Sequence, residues 1–391
     1  MHDDKERELR IGISLQGFCG WQGGIDFCMN FIRVLKDKNT KVYCFIPYCV
    51  TQGDWKQKII LGLEVIRNNK NVKIIYYESA QLAYVLKKYS IDIAFPLFGS
   101  SDYIKDIPCM GYIADLQHKR LVKYFSKQEI ARRDREYTSI LNKYKYVLVN
   151  SQSVKKDLER YYAPYKAQIV VLPCISIASG NHIPKMKLDY CLRKKYNLPQ
   201  KYFMISNQFW LHKNHMLAFE AFDQFYKSGH QDIYLICTGK MEDNRDKQYI
   251  SRLLKYKNQL SCKDNILLLG LIPKKDQLGI MRNAIALVQP TQFEGGPGGG
   301  SVYDAMAMQV PCIVSDIEIN RELPKSKRIH YFDVESLDDL ALKMEMILKE
   351  EHKKKSWKVL KQIRDKNLHR YKKILMLIIR KIMNKELICG N

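Results

Sequence analysis

The stretch "QPTQFEGGPGGGSVYDAMAMQVP", Gln289 to Pro311, places five glycines and a proline between Glu294 and Asp304. An apolar run, "AIALV", leads into it, and "SVYDAMAMQ", with helical spacing, leads out. The passage therefore reads as a strand, a glycine-rich loop and a helix. In open α/β sheets ligands bind at such places, beyond the carboxyl ends of the strands. Glycine lets backbone approach a ligand closely, and the N–H groups and dipole of a helix's first turn favour a phosphate. No Gly-Lys-Ser/Thr follows, so the loop is not a P-loop; it does not lie in the first βα turn of a domain either, so it is not a dinucleotide fingerprint.

Working outward, similar βα units recur. Seven β-rich apolar runs precede residue 175: "LRIGISL", "KVYCFI", "VKIIYY", "IDIAFP", "PCMGYI", "YKYVLVN" and "AQIVVLP". Six more follow residue 200: "KYFMIS", "DIYLICT", "NILLLG", "IALVQP", "PCIVS" and "RIHYF". Strands alternating with helical patterns predict an α/β chain of two Rossmann-like domains. The expected division is 1–175 for the first domain, 176–200 for a linker rich in turn residues, 201–350 for the second domain, and 351–391 for a basic amphipathic helix. A length of 391 residues favours two domains, because single cores stop growing below that size.

Two further loops carry candidate residues. In "SNQFWLHKNHMLAFEAF", after the strand "YFMIS", Lys213 stands near a helix start, where an ammonium reaches a bound phosphate. His212 and His215 flank it without a third nearby metal ligand, so no metal site is expected. In the first domain "SLQGFCGWQGGIDF" opens a helix with Gly23 and Gly24. Across that domain "GYIADLQHKR" follows a strand and brings Asp115, Gln117 and His118 together.

Composition limits the partners. Lys and Arg number 65 against 41 Asp and Glu, a net charge of +24, which attracts anionic partners. Residues 351–391 hold thirteen Lys/Arg against three Asp/Glu, so much of the excess lies at the C-terminus. There Trp357, Leu360, Leu368, Tyr371, Leu375, Ile378 and Ile382 recur at helical spacing. This helix suits packing on the fold and also contact with an anionic membrane surface. The eleven cysteines form no C-x-x-C pair and sit in apolar runs, as buried reduced thiols do. The charged start lacks a signal core and no apolar run is long enough to span a membrane. A cytoplasmic protein, peripheral at the inner membrane face, is expected.

Three ordered stretches carry a resemblance that spans most of the chain. "QPTQFEGG...SVYDAMAMQVPCIVSDIEINRE" resembles the donor-site signature of the large retaining glycosyltransferase family of the GT-B fold, family four type. "SNQFWLHKN" is similar to that family's phosphate-contacting Lys segment, and "DLQHKRLVKYFSKQEIARRDREY" resembles a motif of members that build bacterial polysaccharides. The resemblance implies two Rossmann-like domains facing each other across a cleft. It implies that Glu294 lies beside the donor sugar, that Asp304 holds the nucleotide ribose, and that Lys213 contacts the diphosphate. Asn207, Gln208, Gly295, Gly296, Gly299, Gly300 and Ser301 would complete the donor site, with Gly23 and Gly24 approaching from the other domain. His118 would stand near the transferred sugar, with Asp115 and Gln117 on the acceptor side; Glu322 is a weaker candidate.

Two departures stand out. Nine residues separate Glu294 from Asp304 where the family usually has seven, and Gln208 stands where the family usually carries an Arg. The activity implied is transfer of a sugar from a nucleotide-diphosphate donor to a saccharide or lipid-linked acceptor, with retention of configuration and without a metal. The nucleotide-sugar is a substrate, so no cofactor is expected. A nucleotide-sugar epimerase of the same fold is the alternative within enzymology. A basic nucleic-acid-binding protein is the alternative outside it, disfavoured because no recognised module appears.

Overall fold

A computed structural model describes residues 8–18, 22–35, 39–48, 70–173, 175, 187–350 and 355–388. The chain divides into two compact units, one comprising Met1–Leu116, Ser126–Ile175 and Lys366–Asn391, the other Gln117–Phe125 and Ser176–Asp365.

The first unit holds a seven-stranded parallel sheet of β1 (Leu9–Ser14), β2 (Thr40–Pro47), β3 (Val72–Tyr77), β4 (Ile93–Leu97), β5 (Cys109–Tyr112), β6 (Tyr146–Val149) and β7 (Gln168–Val171). Its spatial order is β3-β2-β1-β4-β5-β6-β7. The second unit holds β8 (Lys201–Ser206), β9 (Ile233–Thr238), β10 (Ile266–Gly270), β11 (Leu287–Gln289), β12 (Cys312–Ser315) and β13 (Ile329–Phe332). Their order is β10-β9-β8-β11-β12-β13. Both sheets therefore follow the Rossmann order, with strand progression reversing beside the first strand of each. The fold is α/β with two Rossmann-like units. The strands are the apolar runs legible in the sequence, because a parallel sheet covered on both faces buries nearly every residue of its strands. In β4 all five residues, Ile93 to Leu97, are buried.

Within residues 176–200, expected as a linker, 176–186 lie outside the described residues, and a helix occupies Lys187–Tyr196. That helix belongs to the second unit: Leu192 is buried, and the Tyr196 hydroxyl donates to Asp276 Oδ2 at 2.7 Å. The C-terminal helix runs from Trp357 to Ile388. Its Tyr371, Leu375, Ile379 and Ile382 join the core of the first unit, with Leu368 and Ile378 only partly buried against it. The buried stripe steps by four, four and three residues, so Ile379 rather than Ile378 is the inward one.

Among the described cysteines, Cys28, Cys44, Cys109, Cys237, Cys262 and Cys312 are buried and form no disulfide, while Cys191 is exposed. Burial pushes the Cys262 and Cys312 thiols up to about 12, which keeps them protonated and unreactive.

Candidate functional site

The second sheet reverses between β8 and β11, and the residues that leave these two strands meet. Asn207, immediately after β8, donates through Nδ2 to Gln289 Oε1 at 2.6 Å. Gln289, the last residue of β11, is fully buried and turns its own amide outward along the loop. Its Nε2 donates to Glu294 Oε1 at 2.9 Å and to the Gly298 carbonyl at 3.1 Å. One buried glutamine thus fixes both the carboxylate that opens the glycine loop and the backbone that closes it. A buried amide satisfied at each end is costly to displace.

Lys213 enters from the turn Leu211–Lys213. Asn214, in a left-handed conformation at φ 55°, ends that turn and starts the helix His215–Lys227. Lys213 Nζ lies 2.5 Å from Glu294 Oε1. The turn is anchored on two sides: the His212 carbonyl accepts from Gln292 N at 2.8 Å, and Leu211 N donates to Asp243 Oδ2 at 2.8 Å. Gly239, at the end of β9, is pressed so closely against Asn207 that a Cβ there would sit 1.8 Å from the Asn207 carbonyl oxygen. Any side chain at that position would force the loop after β9 away from the loop that carries both Asn207 and Lys213.

The helix Gly299–Ala307 starts beyond Gly298 with no side chain capping it. The Gly299 N–H donates to the Gly296 carbonyl at 3.0 Å, and the next first-turn amides are of the kind that a phosphate satisfies. Gly298 and Gly299 both have φ of +66°, a region costly for other residues. Gly298 N donates to Asn320 Oδ1 at 2.7 Å, and Asn320 Nδ2 donates to the Ser315 carbonyl at 2.9 Å. The loop is therefore tied to the ends of β11 and β12.

Asp304, one turn into that helix, is buried and pairs with Lys274 at 2.6 Å. Gln277, one turn beyond Lys274 in the helix Lys274–Asn283, contacts Ser206 Oγ at the end of β8.

Arg245 forms a second cationic element. Its Nη1 donates to Gln117 Oε1 at 2.6 Å and its Nη2 lies 3.2 Å from His212 Nδ1. The guanidinium lies over the rings of Phe125 and Trp210. Burial, followed by the charges of Lys213 and Arg245, holds the His212 imidazole well below its ordinary value. A neutral His212 accepts from Arg245 at Nδ1 and carries its proton on Nε2.

Of the residues singled out in the sequence, Asn207, Lys213, Glu294 and Gly299 share this network, and Gly298 was absent from that set. Gly295 and Gly296 lie in the loop between them, half-buried, and Gly300 and Ser301 in the helix's first turn. Asp304 is joined to the same helix but pairs apart, with Lys274. Gln208 is half-buried beside Asn207. Gln117 and His118 belong to the second unit; His118 is fully buried, edge-on to Phe125 at 6.4 Å between ring centres. Gly23, Gly24 and Asp115 belong to the first unit, where Gly23 and Gly24 stand in the first turn of the helix Gln22–Val34. Glu322 is half-buried, and Asn320, two residues earlier, is the buried polar group that holds the loop. Sequence reasoning missed Gln289, Asn320, Lys274 and Arg245. Gln289 had one signal, a polar residue at the end of an otherwise apolar strand.

Residues 192–364 match the family model described as glycosyl transferases group 1. No curated protein matches the chain in sequence. Among solved structures, HepE of Anabaena, in complex with UDP and glucose, superposes with a TM-score of 0.69 at 12% identity, covering 95% of this chain and 100% of that one. Sucrose-phosphate synthase of Thermosynechococcus elongatus gives a TM-score of 0.64 at 15% identity, covering 98% and 100%. WaaG, a glycosyltransferase involved in lipopolysaccharide biosynthesis, gives 0.58 at 14% identity, covering 93% and 95%. The chain has the GT-B fold, and residues 192–364, within its second unit, match the glycosyl transferases group 1 family.

Proposed function

We propose that the chain transfers a sugar from a nucleoside-diphosphate donor to a saccharide or lipid-linked acceptor in surface polysaccharide biosynthesis, with retention and without a metal. The observation that carries this reading is the Lys213–Glu294 pair, set at the reversal point of the second sheet beside the uncapped helix start at Gly299. That arrangement suits a diphosphate: amides of Gly300 and Ser301 donate to its oxygens, while the Gly299 N–H holds the loop through the Gly296 carbonyl, and the Lys213 ammonium balances charge as the bond to the sugar breaks. The sugar carbon gains a bond to the acceptor hydroxyl oxygen, and the hydroxyl proton leaves with the departing phosphate on the same face. Glu294, steadied by Gln289, receives a hydroxyl of the donor sugar, and His118 acts near the transferred sugar, with Asp115 and Gln117 on the acceptor side.

The fold neighbours agree in kind, since HepE was solved with UDP and glucose and WaaG acts in lipopolysaccharide biosynthesis. Incubation with a panel of UDP-, GDP- and dTDP-sugars, with and without saccharide acceptors, tests the reading. Release of nucleoside diphosphate that depends on acceptor supports it, whereas conversion of the donor sugar without acceptor would make the protein an epimerase. NMR of the product's anomeric centre decides retention.

The membrane part of the proposal rests on the C-terminal helix. Lys366, Arg370, Lys373 and Lys381 are exposed on the same flank as Ile374 and Leu377, which are 41% and 59% exposed. Clustered cations attract anionic headgroups at about 1 kcal/mol each. Among the described residues no helix is long and apolar enough to cross a membrane, so the contact proposed is peripheral, at the cytoplasmic face. Pelleting with anionic but not neutral vesicles at low salt is the expected result, and no pelleting with either would remove this part.

A further inference from the structure

We propose that the outer edge of β10 is a docking strand, to which an extended, acidic segment of a partner protein adds as a seventh strand of the second sheet. Among the described residues β10 pairs only with β9, at the end of the six-stranded sheet. Along its outer side the backbone N–H and C=O groups therefore meet no neighbouring strand. Exposed edges are ordinarily guarded by charge, and β3, an edge of the first sheet, carries the exposed Lys73. β10 reads "ILLLG" and has no such guard; Leu267, Leu268 and Leu269 are all only half-buried, and Leu271 just beyond is 54% exposed. Beside the strand lies a cavity of about 330 Å³ lined by Tyr196, Leu254, Lys257 and Asn258. These residues stand at the ends of the helices Lys187–Tyr196 and Tyr249–Lys257.

The surrounding charge selects the occupant. Residues 187–196 hold four Lys/Arg against one Asp, and residues 247–263 hold five Lys/Arg and no acidic residue, a net charge of +8 for the two stretches. A second copy of the chain would bring the same charge against itself, whereas an acidic segment is complementary. In strand addition the main-chain bonds supply affinity, and pockets for alternate side chains supply specificity. The cavity suits an apolar side chain and the flanking lysines suit acidic ones. Pairing of β10 with β9 is regular from Ile266 to Leu268 and shifts before Gly270, so the added strand is short and charge carries much of its selectivity. β9 separates β10 from β8, which places the docked segment two strands from the reversal point. The proposal is therefore independent of the nucleotide-sugar reading.

Fluorescence anisotropy with a labelled peptide of alternating valine and glutamate, titrated with the full chain, tests the proposal, and hydrogen exchange locates the contact. The peptide should bind, more tightly as salt is lowered, and should slow amide exchange within Ile266–Gly270. The same peptide N-methylated at alternate backbone amides keeps its side chains but cannot pair as a strand. It should bind at least about tenfold more weakly, the worth of about one hydrogen bond. Leu268→Lys, which sets a charge on the edge, should weaken binding by a similar factor. So should Lys194→Glu combined with Lys255→Glu, at exposed positions that leave the strand untouched, which separates lost docking from lost folding. Absence of binding would overturn the proposal, as would binding that leaves exchange in β10 unchanged or equal binding of a valine–lysine peptide. A dimer of the chain in sedimentation that Leu268→Lys dissociates would assign the edge to a second copy and overturn it as well.

Discussion

Lys213 Nζ and Glu294 Oε1 stand 2.5 Å apart with only about a tenth of either side chain exposed. The site's main cation is thus neutralised before any donor arrives. The carboxylate that neutralises it is fixed by a second donor, Gln289 Nε2. A ligand phosphate meets a lysine whose position is already set, which is the preorganisation that makes an electrostatic contact useful in a transition state.

Replacing Lys213 by Met should therefore act on both chemistry and stability. Loss of one preorganised contact to a developing charge costs roughly 100- to 1000-fold in kcat. Leaving Glu294 buried without its partner destabilises by about 3–5 kcal/mol. The double substitution Lys213→Met with Glu294→Gln removes the orphaned charge, so it should regain most of the stability in a denaturant melt and none of the turnover. If the double variant regained turnover, Lys213 would have a purely structural role.

Two adjacent glycines should respond in opposite ways. At Gly299, with φ of +66°, a Cβ would come within 3.1 Å of Glu294 Oε2. Gly299→Ala combines left-handed backbone strain of about 1–2 kcal/mol with displacement of that carboxylate, and should lower kcat/KM at least about tenfold. At Gly300 a Cβ meets nothing within 4 Å, so Gly300→Ala should fold with unchanged stability. Thermal melts of the two variants, run side by side, check the contrast.

The sheets were legible because burial on both faces leaves a mostly apolar, β-rich run for most strands, as in "IAFPL" and "YVLV". The loop at Glu294 was legible because five glycines have no place in a strand or helix interior. Lys274 was not legible. In "IPKKDQ" it reads as a solvated start to a surface helix, and its choice of Asp304, thirty residues on, is set by how two helices pack. Arg245 was hidden for the same reason, since nothing local joins it to Gln117, Phe125 or Trp210. The inward residue of the C-terminal helix could not be chosen between Ile378 and Ile379, because both are isoleucine and a drift of one residue is within the tolerance of a helical stripe.

Gln289 should prove more important than its neutral side chain suggests. Gln289→Leu keeps the volume and removes the bonds to Asn207, Glu294 and Gly298 at once. With Asn207 left buried and unsatisfied, the expected loss of stability is about 1–3 kcal/mol. The loosened loop should lower kcat/KM by roughly 10- to 100-fold, as a misplaced carboxylate does. A variant with wild-type kcat/KM and lowered stability would limit Gln289 to holding the fold.

The first unit makes a separate prediction about pH. Asp102, in the turn after β4, is buried, and burial raises its carboxyl from 3.8 to about 6, against opposing hydrogen bonds from Gly99, Ser101 and Gln16. Its folded value exceeds its unfolded one, so the native state holds the proton more tightly. The stability this group contributes is complete below about 4, is lost as pH rises through about 6, and is constant above. Two units correspond to about 3 kcal/mol. Asp102→Asn cannot titrate, so the difference in unfolding free energy, variant minus wild type, should shift in favour of the variant by an amount of that order between pH 4 and pH 7. Urea melts at the two pH values measure it directly, and an unchanged difference would mean that Asp102 ionises as an ordinary exposed aspartate despite its burial.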